Sequence, residues 1–201
     1  MKSRNVIDAW VRSGIRDFCL YVELQNAWSS YNAFFLHQGL EKLCKAYLLG
    51  ARAKEYEGIA LEHQARQRVQ EIAKKLGHDL LSMLKQLDKL KVISVDQIKT
   101  IRSDDKTGHE IIEAIQQGYE ECRYPLPLSP VYKKYPIKGY RKVYEDLLGC
   151  TVLKDIPHLI AGQILSKIRE DFSFAPSKDK ATYNSKMPDN HWNLVLPIFP
   201  S

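Results

Sequence analysis

Phe34-Phe35-Leu36-His37-Gln38-Gly39-Leu40-Glu41-Lys42-Leu43-Cys44-Lys45-Ala46-Tyr47-Leu48-Leu49 reads as one long helix with a polar stripe on its flank. At 100° per residue, Leu36, Leu40, Leu43, Cys44 and Tyr47 fall in one apolar arc. His37, Glu41 and Lys45 recur every four residues along the rim of that arc. Glu four residues before Lys is the favourable order for a helix-surface pair, worth about 0.3 kcal/mol. The simplest expectation is a solvated ion pair beside a partly exposed histidine. A functional expectation puts Lys42 and Lys45 near a phosphate, with Glu41 orienting a base or a cationic partner. A dimer contact is the third.

Helical periodicity continues on both sides of this block. Upstream, Ile7, Trp10, Val11, Phe18, Tyr21 and Val22 share one face of a helix from about Asn5 to Glu23. Ser29 or Ser30 is a suitable N-cap for the second helix, which runs to about Ala53, with Gly50 and Gly58 loosening its end. Downstream, Leu61, Ala65, Val69, Ile72 and Leu76 mark a third helix, stopped by Gly77. Asp79 caps a fourth, with Leu80, Met83, Leu84, Leu87 and Leu90 inward. Ser94 caps a short helix bearing Val95, Ile98 and Ile101. Asp104 to Gly108 is a turn. A helix from about His109 to Arg123 turns Ile111, Ile112, Ile115, Tyr119 and Cys122 inward, and Pro125, Pro127 and Pro130 end it. A last helix runs from about Asp155 to Phe172, with Pro157 in its first turn. The tail closes on Trp192-Asn193-Leu194-Val195-Leu196-Pro197-Ile198-Phe199, extended in character.

The chain has 201 residues and a net charge of +6, with 44% hydrophobic and 27% charged residues. This suits one globular domain. The positive charge is compatible with phosphate-bearing partners without requiring them. The four cysteines form no CxxC pair and no His cluster shows metal-ligand spacing, so neither metal nor cofactor is expected. Met1 to Val22 is amphipathic rather than a short apolar block, and no window reaches the roughly 20 apolar residues of a membrane span. A cytoplasmic protein without membrane attachment is expected. Gly-rich phosphate loops are absent.

Three ordered motifs resemble the HEPN family of small helical bundles. Gly39-Leu40-Glu41-Lys42-Leu43-Cys44-Lys45-Ala46 is similar to the family's A-x-E-K-x-x-K-A core. Gly77-His78-Asp79-Leu80-Leu81-Ser82-Met83-Leu84 is similar to its helix-opening H-D-L-x-x-L. Cys122-Arg123-Tyr124-Pro125 is similar to the R-Y-P that closes a helix in one branch. The resemblance implies an all-α, HEPN-like up-and-down bundle of about five to seven helices over residues 1–172. A Pro-rich, basic and aromatic insertion at 124–154 precedes the last helix, and a polar tail at 173–201 ends in an apolar extended arm.

What the resemblance implies about function depends on the branch. The family's enzymes are metal-independent ribonucleases, often toxins paired with a nucleotidyltransferase-like antitoxin. They carry an Arg followed four to six residues later by a His, and the two subunits' residues meet in a dimer groove. After Arg123 no His follows in reach. The formal match is Arg102 and His109, separated by six residues and lying before the penultimate helix rather than at the family's position. For the R-Y-P branch, nucleotide binding has been proposed instead of cleavage.

The resulting expectation is a non-catalytic homodimer that binds a nucleotide or RNA phosphate, in a defence or toxin–antitoxin system. Glu41, Lys42, Lys45, His78, Arg123 and Tyr124 form the site. Lys133, Lys134, Lys138, Arg141 and Lys142, interleaved with tyrosines, would offer an RNA surface. One alternative is an endoribonuclease in which His109 moves a proton at a 2′-hydroxyl and Arg102 stabilises the phosphorane. Another is an interaction module using the apolar arm. Structural readings stand beside these: His78 and Asp79 as helix-opening residues, Arg123 as a cation at a helix C-terminus, the basic segment as a solvated loop, and Glu110, Glu113, Glu120 and Glu121 as a solvated face.

Overall fold

The computed structural model describes residues 1–24, 31–103, 106–123, 152–183 and 189–200, with side chains undescribed at 31–33, 102–103, 106, 121–123, 152–155 and 190–191. Among these residues the chain is mostly helical: α1 (Ser3–Leu24), α2 (Tyr31–Ala51), α3 (Glu62–Leu76), α4 (Leu80–Lys89), α5 (Val95–Thr100), α6 (Gly108–Arg123), α7 (Val152–Phe172) and α8 (Asp189–Val195). The expected caps at Ser29 or Ser30 and residues 124–151 of the insertion, its basic residues included, lie outside the described residues.

Helix α2 is the centre of the fold, packed by α1, α3, α4, α6 and α7. Its pairing with α1 is the most extensive, because glycines meet at the crossing. A Cβ on Gly39 would lie 2.7 Å from Phe18 and 3.2 Å from the Gly14 carbonyl. Gly50 does not loosen the end of α2. A Cβ there would lie 2.8 Å from Phe172 and 2.9 Å from Ile7, so it permits close packing. Leu36, Leu40, Leu43 and Cys44 are fully buried, joined by Ile7, Val11, Ile15 and Phe18 of α1. Burial pushes the Cys44 thiol well above its ordinary value.

Local signals set the helix ends. Asp79 accepts from the Ser82 amide at 3.1 Å and Ser94 from the Gln97 amide at 3.2 Å, the capping expected of Asp and Ser. Gly77 ends α3 at φ 71°, a conformation that suits glycine. A small antiparallel ladder, β1 (Arg102–Ser103) with β2 (Lys106–Thr107), flanks the expected turn, whose Asp104 and Asp105 lie outside the described residues, and Gly108 already opens α6. Helix α7 begins at Val152, so Pro157 lies inside the helix rather than in its first turn. Ile156, Ile160, Ile164, Leu165 and Ile168 of α7 are buried.

The tail departs most from its sequence reading. The stretch from Trp192 is not an extended arm. It forms α8 and a 3₁₀ turn at Leu196–Ile198. Trp192, Val195, Ile198 and Phe199 are buried in the main core, with Tyr183, Trp192 and Phe199 rings 5.8–6.1 Å apart. These apolar side chains are occupied by the chain's own body, which removes the basis for using them as a partner contact.

Candidate functional site: a polar seam between α2, α4 and α6

The stripe on α2 faces inward, contrary to the expectation of a solvated pair. His37, Glu41 and Lys45 are 0%, 3% and 3% exposed. Buried ionic groups at this depth persist only when paired and hydrogen-bonded, and α2 itself, the turn before α4 and helix α6 supply the partners. Lys45 Nζ donates to Glu41 Oε1 at 2.8 Å, and Gln38 Nε2 donates to Oε2 at 3.1 Å. His78 Nδ1 lies 3.0 and 3.1 Å from the two carboxylate oxygens. Burial pushes the Glu41 carboxyl up. The hydrogen bond and charge of Lys45, with His37 and His78, outweigh this and hold it below its ordinary value. The Trp10 ring of α1 sits 5.7 Å from Lys45 Nζ, a cation–π contact at the far end of the row.

Gln116 of α6 closes the seam. Its Oε1 accepts from the Leu80 amide at 3.0 Å and lies 2.9 Å from His37 Nε2. An amide oxygen only accepts, so His37 Nε2 carries the proton. In the neutral ring, Nδ1 is then bare; it has no hydrogen-bond partner and lies 3.5 Å from Glu41 Oε2. Burial lowers the histidine's pKa despite Gln116 and the Glu41 charge. Tyr119 stacks on the imidazole at 3.9 Å and 11°. Gln116 Nε2 donates to Glu120 at 3.2 Å, so Glu120 belongs to the seam's edge rather than to a purely solvated face.

His78 is the point where this network meets solvent. Its side chain is 54% exposed, against 4% for Glu41. The turn from Gly77 to the Asp79 cap holds its backbone, and the carboxylate holds its ring. Two amides at the start of α4, those of Leu80 and Ser82, are already taken by Gln116 and Asp79. The helix start itself therefore has few open N–H groups left for an anion.

The remaining sequence candidates separate. Lys42 points to α1, where Nζ donates to Asp17 Oδ2 at 2.5 Å. Lys45 is buried and committed to Glu41. Lys45 lacks the exposure expected of a phosphate ligand, whereas Lys42, 22% exposed, is paired with Asp17. Arg123 occupies the position two turns beyond Gln116 on the same face of α6. Tyr124 and the basic residues Lys133, Lys134, Lys138, Arg141 and Lys142 lie outside the described residues. His109 Nε2 is 3.5 Å from Glu113 Oε1 on its own helix. The ladder pairs Arg102 with Thr107, bringing the Arg102 backbone beside the start of α6.

Sequence reasoning missed Gln116 and Asp17, and read Trp10 and Tyr119 only as residues of apolar helix faces. Gln116 had one available signal, a polar residue in register with the inward Ile112 and Tyr119. Among the described residues, no group of three His, Cys, Asp or Glu side chains is placed to hold a metal ion. Nor is any helix among them long and apolar enough to cross a membrane. No known protein family, curated protein or solved structure matches this chain.

Proposed function

We propose that the chain is a HEPN-like, non-catalytic module that holds a nucleotide or an RNA phosphate at its His78 edge. In this reading it works as a cytoplasmic homodimer, beside a nucleotidyltransferase-like or other defence partner. One observation carries the reading. Glu41 of the first motif and His78 of the second, 37 residues apart, are hydrogen-bonded to each other. Gln116, on the helix that ends in Arg123, lies 2.9 Å from His37, two residues before the first motif, and accepts from the Leu80 amide of the second. Motifs scattered along the sequence thus supply one connected group.

The chemistry follows from that connection. Glu41 fixes the His78 ring through Nδ1, which leaves Nε2 for a ligand, as an acceptor in the neutral ring and a donor in the imidazolium. Arg123, about 10 Å along α6 from Gln116, is the proposed fork for phosphate oxygens, with Tyr124, the next residue in the sequence, proposed to assist it. Lys45 acts by neutralising Glu41, and Lys42 is relieved of a direct role. The test is calorimetric titration with nucleoside mono-, di- and triphosphates and a short single-stranded RNA. His78→Ala and Arg123→Ala should each weaken binding about tenfold, while Asp17→Asn should not. Absence of binding at millimolar ligand would end the proposal. RNA cleavage resistant to EDTA and lost in His109→Ala would transfer it to the ribonuclease reading.

A further inference from the structure

Away from the seam, α1 turns Arg4, Asp8 and Arg12 to the same side at four-residue intervals. The segment that follows α7 runs back against this face. Its residues alternate in burial, Phe174 and Pro176 inward, Ala175 and Ser177 outward. Its far end is anchored by Tyr183, which is 1% exposed and donates its hydroxyl to the Ser177 carbonyl at 2.5 Å. Arg16 Nε reaches the Tyr183 carbonyl at 3.3 Å and ties the end of the segment to α1. Between helix and segment lies a cleft of about 330 Å³, lined mainly by polar atoms. That volume is at the lower end for small-molecule sites.

The donors in this cleft are unusually free. Arg12 spends Nε on Asp8 at 2.7 Å, and its two terminal nitrogens have no acceptor among the described residues. Arg4 is exposed and lines the same cleft, with no ion pair to any described residue. Asn5 and Thr182 add an amide and a hydroxyl to the lining. Two guanidinium groups against one carboxylate leave one net positive charge, enough for a single phosphate and too little for a polyanion. The two arginines stand about 12 Å apart along the helix, with Asp8 midway. A carboxylate there repels a second phosphate and accepts hydroxyl donors.

We infer that this cleft binds a small phosphate monoester carrying neighbouring hydroxyl groups, the phosphate held by Arg12 or Arg4 and the hydroxyls by Asp8. A sugar phosphate and the ribose-phosphate of a nucleotide share this chemistry. The site uses none of the residues of the His78 edge and stands or falls separately from it. Inorganic phosphate, ribose 5-phosphate and adenosine 5′-monophosphate are titrated into the full chain, with amide shifts in ¹H–¹⁵N spectra as the readout. The expected result is saturable shifts at α1 and residues 174–183, with ribose 5-phosphate tighter than inorganic phosphate.

The paired substitution Arg4→Gln and Arg12→Gln should weaken that binding about tenfold or more while leaving the thermal midpoint near wild type, since both side chains are on the surface. Asp8→Asn should erase the preference for ribose 5-phosphate over inorganic phosphate. His78→Ala should change nothing here. If adenosine 5′-monophosphate binds no tighter than ribose 5-phosphate, the cleft reads only the sugar phosphate; if tighter, it extends to the base. Shifts absent up to roughly 20 mM ligand, unchanged in the double arginine variant, or lost in His78→Ala would overturn the assignment.

Discussion

Two lysines of α2 each hold a buried carboxylate, and the two carboxylates behave in opposite ways. Glu41 and Lys45 are both on α2, beside His78, whereas Lys42 of α2 reaches across to Asp17 of α1. Both carboxylates are buried, at 3% and 7% exposure. Burial raises each of them. Glu41 nevertheless ends below its ordinary value and Asp17 above its own. The difference is the number of donors. Glu41 receives Lys45, Gln38 and His78, with His37 close by, whereas Asp17 has the hydrogen bond of Lys42 and the more distant charge of Arg16. A buried charge is tolerated when several donors converge on it, and one partner does not suffice. A further asymmetry lies in the cations. Lys45 is sealed in, while Lys42 keeps 22% of its side chain in solvent.

The sharpest way to break the comparison is Glu41→Gln. It strands the Lys45 ammonium in the core and should cost about 3–5 kcal/mol in urea-melt stability. A loss below about 1 kcal/mol would mean that Lys45 escapes to water. Restoring neutrality with Lys45→Met in the Glu41→Gln background should recover most of that loss, because a buried pair contributes little over an apolar replacement. Asp17→Asn should cost about 1 kcal/mol or less, since Lys42 can turn outward.

The two pairs also predict pH behaviour. His37 has a folded pKa below its ordinary 6.5, so the unfolded chain takes up its proton first, and stability falls as pH drops below about 6.5. Glu41, depressed below 4.5, adds to this loss below that value. Asp17, raised above 3.8, works in the opposite sense and gains stability as pH falls toward 3.8. Denaturant melts across pH 7 to 5 should therefore show a decline that His37→Gln flattens and Asp17→Asn leaves in place. The smallest effect belongs to His78→Gln, within about 0.5 kcal/mol of wild type, because the ring is half exposed. A large loss there would make His78 a structural residue rather than the accessible end of the seam.

Most helices could be read locally. Asp79 and Ser94 cap where their short oxygens predict, and Gly77 stops α3 where its φ predicts. Two features could not. The run from Trp192 to Phe199 combines a proline with branched and aromatic residues, a composition that suits an extended arm. Burial of four of its apolar side chains against Tyr183 and the main core holds it helical instead. The stripe on α2 looked solvated because i, i+4 pairs usually are.

From the chain alone came the mostly helical character, the helix limits near capping residues, and the three motifs that nominated Glu41, His78 and Arg123. These depend on neighbours within a few residues, which local chemistry decides. Which face of α2 turns inward, that Lys42 and Lys45 serve different carboxylates, and that Gln116 joins His37 to the start of α4 were decided by packing. A helix's angular pattern states which residues share a face, but only the helices laid against that face determine whether it meets water or other side chains.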